Sequence, residues 1–241
     1  MKTIFHTFFF QPLYNALVFL VDVLPGGNVG LAVIILTLLV KFLLFPLSQK
    51  SITTQAKMRK IDPEMKKLKE KHKNNQQELA KKTMELYKEE GVNPFSGCFL
   101  MLIQLPIIFA LYYVFLAGLK FDKTLLYPFV SLPAVVNSVF FGIDLMKKSA
   151  FLAIIAGISQ YYQLSLSLPT LPKRTSNEPI SFQEEFGRNM NSQMKYIFPF
   201  LVVFISYSIS SAIALYWVVS NLFAICQEFY VRKKAKEIKV N

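Results

Sequence analysis

The chain has 241 residues, of which 53% are hydrophobic and only 17% charged, and its mean hydropathy is +0.38. A charged share well below the roughly 25% of soluble domains excludes an ordinary soluble fold and indicates an integral membrane protein. The formal net charge of +12 would suit nucleic acid, but the basic residues lie in blocks between apolar segments, which fits membrane topology and anionic headgroups better than DNA.

Residues 1–28 carry Lys2 and an apolar stretch interrupted by Gln11, Pro12, Tyr14 and Asn15, with no small-x-small cleavage site after it. The segment reads as an extracytoplasmic amphipathic helix lying in the interface rather than as a signal peptide. A first transmembrane helix follows over 29–47, a run long enough to cross a bilayer in which Lys41 is the single charge. A lysine at the centre of a membrane helix costs about 2.5–3.5 kcal/mol on insertion scales, so such residues usually face water or a partner inside the protein. Lys41 therefore predicts a polar, water-accessible cavity within the membrane.

Residues 48–92 hold 12 basic and 7 acidic residues, too many charges for a span, and read as an antiparallel helical hairpin. Asp62-Pro63-Glu64 predicts a helix start, Asn74-Asn75 a break and Gly91 a stop. Met65, Leu68 and His72 on one arm and Leu79, Thr83, Leu86 and Tyr87 on the other supply the faces that zip. Two further spans are expected at 95–118 and 149–168. The largely apolar block 195–230 has 36 residues, more than one crossing needs, so it forms a fourth and a fifth span, each short, that turn around Ser206, Ser208, Ser210 and Ser211. Pro46, Pro94, Pro106 and Pro199 fall near or inside spans and predict kinks.

The uncharged stretch from Thr124 to Gly142 leaves open a sixth span, which the positive-inside rule decides. With five spans and the N-terminus outside, 21 Lys and Arg lie in the cytoplasm and 5 outside, whereas six spans give 14 against 12, a bias too weak to orient the chain. The loop 119–148 is thus extracytoplasmic and, with Pro128 and Pro133, partly embedded. Residues 169–194 form a cytoplasmic loop and 231–241 a basic cytoplasmic tail. The fold class is all-α: a polytopic membrane protein of five transmembrane helices with a cytoplasmic antiparallel helical hairpin.

Cys98 and Cys226 both fall in or beside apolar segments and are expected to pack as small buried side chains, with neither disulfide nor metal site. No phosphate loop and no His/Asp/Glu cluster of catalytic spacing occurs, so no enzyme and no cofactor is expected.

The order of these parts carries a resemblance. The charged residue in the first span, the charged hairpin, the stretch Asn93-Pro94-Phe95-Ser96-Gly97-Cys98 leading into Leu102-Ile103-Gln104-Leu105-Pro106-Ile107 and Ala110-Leu111-Tyr112-Tyr113, and Leu215-Tyr216-Trp217-Val218-Val219-Ser220-Asn221-Leu222 in the last span together resemble the YidC family of membrane protein insertases, in its short form without a large extracytoplasmic domain. The resemblance covers the chain from about Pro12 to Arg232. It implies a multi-pass protein of the bacterial inner membrane, N-terminus outside and C-terminus cytoplasmic. Its groove would open to cytoplasm and lipid and take nascent membrane proteins as substrates, alone or with the Sec translocon. A ribosome contact through the tail is a weaker implication, because the tail is short.

Lys41 stands where the family typically has arginine, so charge attraction to acidic substrate tails survives without the bidentate fork. Thr37 lies one turn before Lys41 on the same face. Gln104 matches the family's motif and, with Gln160 and Gln163 in the third span and Ser220 and Asn221 in the last, completes the candidate groove. Trp217 matches an aromatic position that the family uses for substrate contact. The rival reading is a small solute transporter or channel in which Lys41 and the glutamines bind a solute, but no internal repeat is present and a large charged hairpin serves a transporter poorly. A noncatalytic assembly factor would need the same groove and docking hairpin.

Overall fold

A computed structural model describes residues 2–72, 75–93, 96–116, 122–168 and 189–237. Most of the expected cytoplasmic loop 169–194, the residues Pro94 and Phe95, and the end of the tail lie outside them. The chain is mostly helical. A short α1 (Lys2–Phe5), a π-helical turn (His6–Phe10) and α2 (Gln11–Val23) precede α3 (Val29–Leu43), and α4 (Phe45–Lys71) and α5 (Gln76–Glu89) follow. After α6 (Ser96–Leu116) comes a two-stranded antiparallel sheet, β1 (Val139–Phe140) with β2 (Ile143–Asp144), then α7 (Ala150–Ser167), a second π-helical turn (Gln193–Ile197), α8 (Phe198–Ser208) and α9 (Ser211–Glu237).

The core is apolar and is drawn from α2, α3, α6, α7, α8 and α9, with Leu17, Val29, Val114, Leu145, Ala156, Val202 and Ala212 among its buried members. Within the described residues, 24 residues of α9, Ser211–Lys234, form one helix long and apolar enough to cross a membrane, while Val29–Leu43 and Phe45–Ile61 pass that test only together, across a bend of 62°. The bend falls at Leu44, two residues before Pro46, which sits in the first turn of α4, where its missing N–H leaves no bond unmade. Pro106 lies inside α6 and Pro199 in the first turn of α8. The apolar block 195–230 breaks between Ser208 and Ser211, inside its serine cluster.

Two expectations from sequence are corrected. Asp62-Pro63-Glu64 does not begin a helix, because α4 runs unbroken from Phe45 through Pro63 to Lys71. The lost hydrogen bond is outweighed by a continuous apolar row on both sides of the proline: Met58, Ile61, Met65 and Leu68 pack against Leu86, Tyr87 and Val92. Cys226 is free and exposed rather than buried, because the helical turn that carries it points its polar neighbours Gln227 and Glu228 inward.

The end of α5 closes in a Schellman motif, with the Val92 N–H on the Tyr87 carbonyl at 2.9 Å and the Gly91 N–H on the Lys88 carbonyl at 3.1 Å, and Gly91 at φ 60°. Val92 then folds onto Leu86 and Ile61, so the cap and the packing of α4 on α5 are one feature. At the start of α5 the Asn75 side chain accepts the Glu78 N–H at 3.1 Å.

The segment 122–148 holds the core together from one end. The Asn15 amide donates to the Leu125 carbonyl at 2.9 Å and accepts the Tyr127 N–H at 2.7 Å. Asn137 exchanges backbone bonds with Gly27 and Val29 at the start of α3. The unpaired N–H groups that open α9 are satisfied by the same segment: Ser211 N–H donates to the Lys147 carbonyl at 2.9 Å and Ala212 N–H to the Leu145 carbonyl at 3.0 Å.

Two predictions come from this packing. Gly157 on α7 lies so close to α8 that an added Cβ would stand 2.3 Å from Val203 Cγ2 and 3.2 Å from the Pro199 carbonyl oxygen, so Gly157→Ala is expected to cost about 1–3 kcal/mol, read as a lower melting temperature in detergent. The second concerns acid. Hydrogen bonds from the Ser138 hydroxyl and then the Met146 N–H hold the Asp144 carboxyl below its ordinary range. A carboxylate depressed in the folded state stabilises above its unfolded pKa, about 3.9, and loses that contribution as pH falls through the folded value. Asp144→Asn should therefore lower the melting temperature at about pH 6 and make progressively less difference toward about pH 3.

Candidate functional site

Three helices bring polar groups to Lys41. α3 places it two residues before its C-terminal end, α6 presents Gln104 two residues before Pro106, and α9 presents Tyr216 and Ser220 one turn apart. Lys41 Nζ lies 3.5 Å from Gln104 Oε1, a long hydrogen bond, and Gln104 Nε2 donates to the Tyr216 hydroxyl. That hydroxyl also bonds the Ser220 side chain. Among the described residues no carboxylate stands within ion-pair distance of Lys41. Among these residues its hydrogen-bond partner is one amide oxygen.

Thr37 is on the Lys41 face but is buried, and its hydroxyl donates to the Val33 carbonyl at 2.6 Å, which leaves only its acceptor lone pairs for anything else. Trp217 is 5% exposed and lies within the apolar core. In this arrangement it packs α9 and presents no free face.

Gln160 and Gln163 are brought together with a different set of groups. Gln160 Nε2 donates to Gln163 Oε1 at 3.1 Å, Gln163 Nε2 to Ser167 Oγ at 3.0 Å, and Ser167 Oγ to Glu228 Oε2 at 3.0 Å. Arg232 meets the other oxygen of Glu228 through Nε at 2.9 Å and through its second nitrogen at 2.6 Å. The same guanidinium reaches the Leu166 carbonyl at 2.5 Å, and Arg59 of α4 donates to the carbonyls of Leu166 and Leu168 at 2.6 and 2.7 Å. Two arginines from two helices thus cap the C-terminal end of α7, where unpaired carbonyls and the helix dipole favour positive charge. Asn221 belongs to neither set, since its amide donates to Ser159 Oγ at 3.0 Å between α9 and α7.

Sequence reasoning missed Tyr216, Ser159, Ser167, Gln227, Glu228, Arg232 and Arg59 as structural partners. One signal was available: Glu228 is the single acid in 195–230 and has Arg232 four residues on, the spacing of a helical ion pair. No cluster of three His, Cys, Asp or Glu able to hold a metal occurs among the described residues. The geometry offers a cation and hydrogen-bonding groups. Among the described residues it brings together no nucleophile paired with a base.

The chain's similarity to known proteins is extensive. The family described as 60Kd inner membrane protein matches residues 20–238. A protein of Fusobacterium nucleatum subsp. nucleatum named Membrane protein insertase YidC is 37% identical over 213 residues, covering 86% of this chain and 88% of the relative. Proteins of the same name from Francisella tularensis subsp. novicida and subsp. holarctica are 36% identical over 210 residues, covering 86% of this chain and 33% of each relative. The chain therefore corresponds to nearly all of the Fusobacterium protein and spans about a third of the Francisella ones.

Loss of the Glu228 carboxylate should be felt in stability. Removing one partner of a buried ion pair costs about 3–5 kcal/mol, and the lower end applies here because the Arg232 side chain is 30% exposed. Glu228→Ala is expected to destabilise by that amount in detergent melts, and Glu228→Gln, whose one carbonyl oxygen can still accept from Arg232 while its NH2 donates to the Ser167 hydroxyl oxygen, by clearly less.

Proposed function

The chain belongs to the 60Kd inner membrane protein family, and from that membership and the surroundings of Lys41 we propose that it is a membrane protein insertase of the bacterial inner membrane. The observation that carries the mechanism is the lysine itself: a cation set in an apolar helix, bonded to an amide and, among the described residues, approached by no carboxylate. An acidic tail of an incoming protein would meet this charge where hydrocarbon would otherwise face it. Coulomb attraction at 4 Å amounts to about 4 kcal/mol at an effective dielectric of about 20, comparable to the cost of drawing one carboxylate out of water.

In this reading α3, α6, α7, α8 and α9 are the five spans, with the N-terminus outside and the C-terminus in the cytoplasm. The helical run 189–208 that ends in α8 brings the fourth span to crossing length. α4 and α5 form the cytoplasmic hairpin that receives nascent membrane proteins or a partner such as the Sec translocon. Lys41, Gln104, Tyr216 and Ser220 line the groove. Gln160, Gln163 and Asn221, with Thr37 and Trp217, support its walls. Catalysis here means lowering a transfer barrier by lining a path with hydrogen-bonding groups, without a chemical step. The substrate's apolar segment leaves sideways into lipid, driven by its own burial in hydrocarbon.

The test is insertion in liposomes that contain only this purified protein, with single-span substrates whose N-terminal tails are acidic or neutral. Protease protection of the acidic tail above that in empty liposomes is expected. Lys41→Ala should reduce it severalfold more than protection of the neutral tail, and Lys41→Arg should preserve it. Equal loss for both tails removes the electrostatic mechanism, and solute flux without insertion would instead establish a transporter.

A further inference from the structure

The uncharged stretch from Thr124 to Ile143 is left without a role by the groove. It is too irregular to cross a membrane, since its regular structure is one 3-10 turn and the first residues of the two-stranded sheet. Its second half is pressed against the beginning of α3. The Val135 carbonyl packs on Gly27, where a Cβ would come within 1.9 Å of it, and the Phe140 ring fills the space over Gly30, where a Cβ would come within 2.3 Å. Asn137 is tied to Gly27 and Val29 through backbone hydrogen bonds. The segment therefore lies at the level where α3 begins, and around Asn137 its backbone is bonded to α3 and, through the Val139 N–H, to the Asn137 side chain.

Its outward side chains are apolar. Phe141 is 91% exposed, Val135 60%, Val139 49% and Val136 43%. Leu31, one turn into α3, is exposed as well and continues this surface along the helix. Phe141 also holds an unusual backbone. It and Gly142 have φ of 48° and 78°, the two left-handed positions of a type I′ hairpin turn, which favours Asn or Asp before the glycine. A phenylalanine there is strained, and the strain keeps a large ring outside the protein. On its other side this strap of residues 135–141 is followed by Lys147, whose side chain is 81% exposed and pairs loosely with Asp144 at 3.6 Å, and by Lys148, whose ammonium lies 6.0 Å from the centre of the Tyr207 ring. Aromatic and apolar side chains flanked by lysines are the pattern of a membrane interface with anionic headgroups.

We propose that residues 135–141 form a leaflet anchor, in which Phe141 with Val135, Val136 and Val139 inserts among the lipid chains of the extracytoplasmic leaflet beside the start of α3. The proposal rests on the reading that α3 spans the membrane with its first residue outside. Anchoring at this point holds α3 at one depth. Lys41, twelve residues further on, is thereby held about 18 Å below, at 1.5 Å per residue.

The experiment is site-directed spin labelling of the full chain in liposomes of mixed anionic and neutral lipid, with Cys98→Ala and Cys226→Ala removing the native thiols. Labels are placed singly through Phe141→Cys, Val136→Cys and, as a reference on the exposed face of α8, Phe204→Cys. Relaxation by oxygen, which concentrates in lipid, is compared with relaxation by a water-soluble nickel chelate. Preferential relaxation by oxygen at 141 and 136, at a depth shallower than at 204, is the expected result. Preferential relaxation by nickel at 141 and 136 while 204 stays lipid-like overturns the anchor and leaves the membrane reading standing. Protection of both sites from both reagents shows a protein surface covering the strap and also overturns it. A water-like signal at 204 removes the spanning reading and the anchor together.

Discussion

One constraint shapes most contacts between these helices: a polar group inside hydrocarbon gains by finding its partner within the protein, because water is not there to supply one. α9 meets that constraint for most of the molecule. Along its length Tyr216 bonds Gln104 of α6, Asn221 bonds Ser159 of α7, Gln227 bonds Ser48 of α4, and Glu228 bonds Ser167 of α7. Each of these four residues of α9 is committed to a different position on a neighbour, so the helix sets register as well as burial. Apolar packing alone would let such helices slide, since one leucine surface is as good as another.

The ends of the helices obey the same rule by other means. The N-terminal donors of α9 are met by carbonyls of the segment 122–148, and the C-terminal carbonyls of α7 by Arg59 and Arg232. At the bend between α3 and α4, Gln227 donates to Ser48 at 2.7 Å and to the Phe45 carbonyl at 3.2 Å, which ties α9 to the point where the chain changes direction. The bend itself makes α4 leave the bundle, so that a helix carrying many lysines departs from the apolar core while still covalently continuous with the helix that carries Lys41.

Lys41 is held differently from Arg232. Arg232 has a carboxylate at 2.6 Å and Lys41 has only the oxygen of an amide at 3.5 Å. Among the described residues, the cation at the end of α7 is paired with an acid and Lys41 is not. Tyr216 and Ser220 orient Gln104, and Gln104 then points its oxygen at the ammonium, so the partners of Lys41 are held in place by a chain of hydrogen bonds and not by an opposing charge.

The amino-acid sequence by itself determined the helical class, the apolar segments, the place of Lys41 and the break among the serines of 206–211, because transfer free energy and helical period are summed over neighbours in the chain. It also marked Gln104 as unusual, an amide between leucine and proline residues. The tertiary structure decided the rest. Pro63 reads locally as a helix start, yet the apolar row from Met58 to Leu68 packs on α5 and carries the helix through it. Cys226 reads as buried until the partners of Gln227 and Glu228 fix the rotation of α9. Gln160 and Gln163 read as companions of Lys41, yet their hydrogen bonds run toward Glu228. Each of these outcomes depends on which residue of another helix stands opposite, a distance across space that local pattern does not encode.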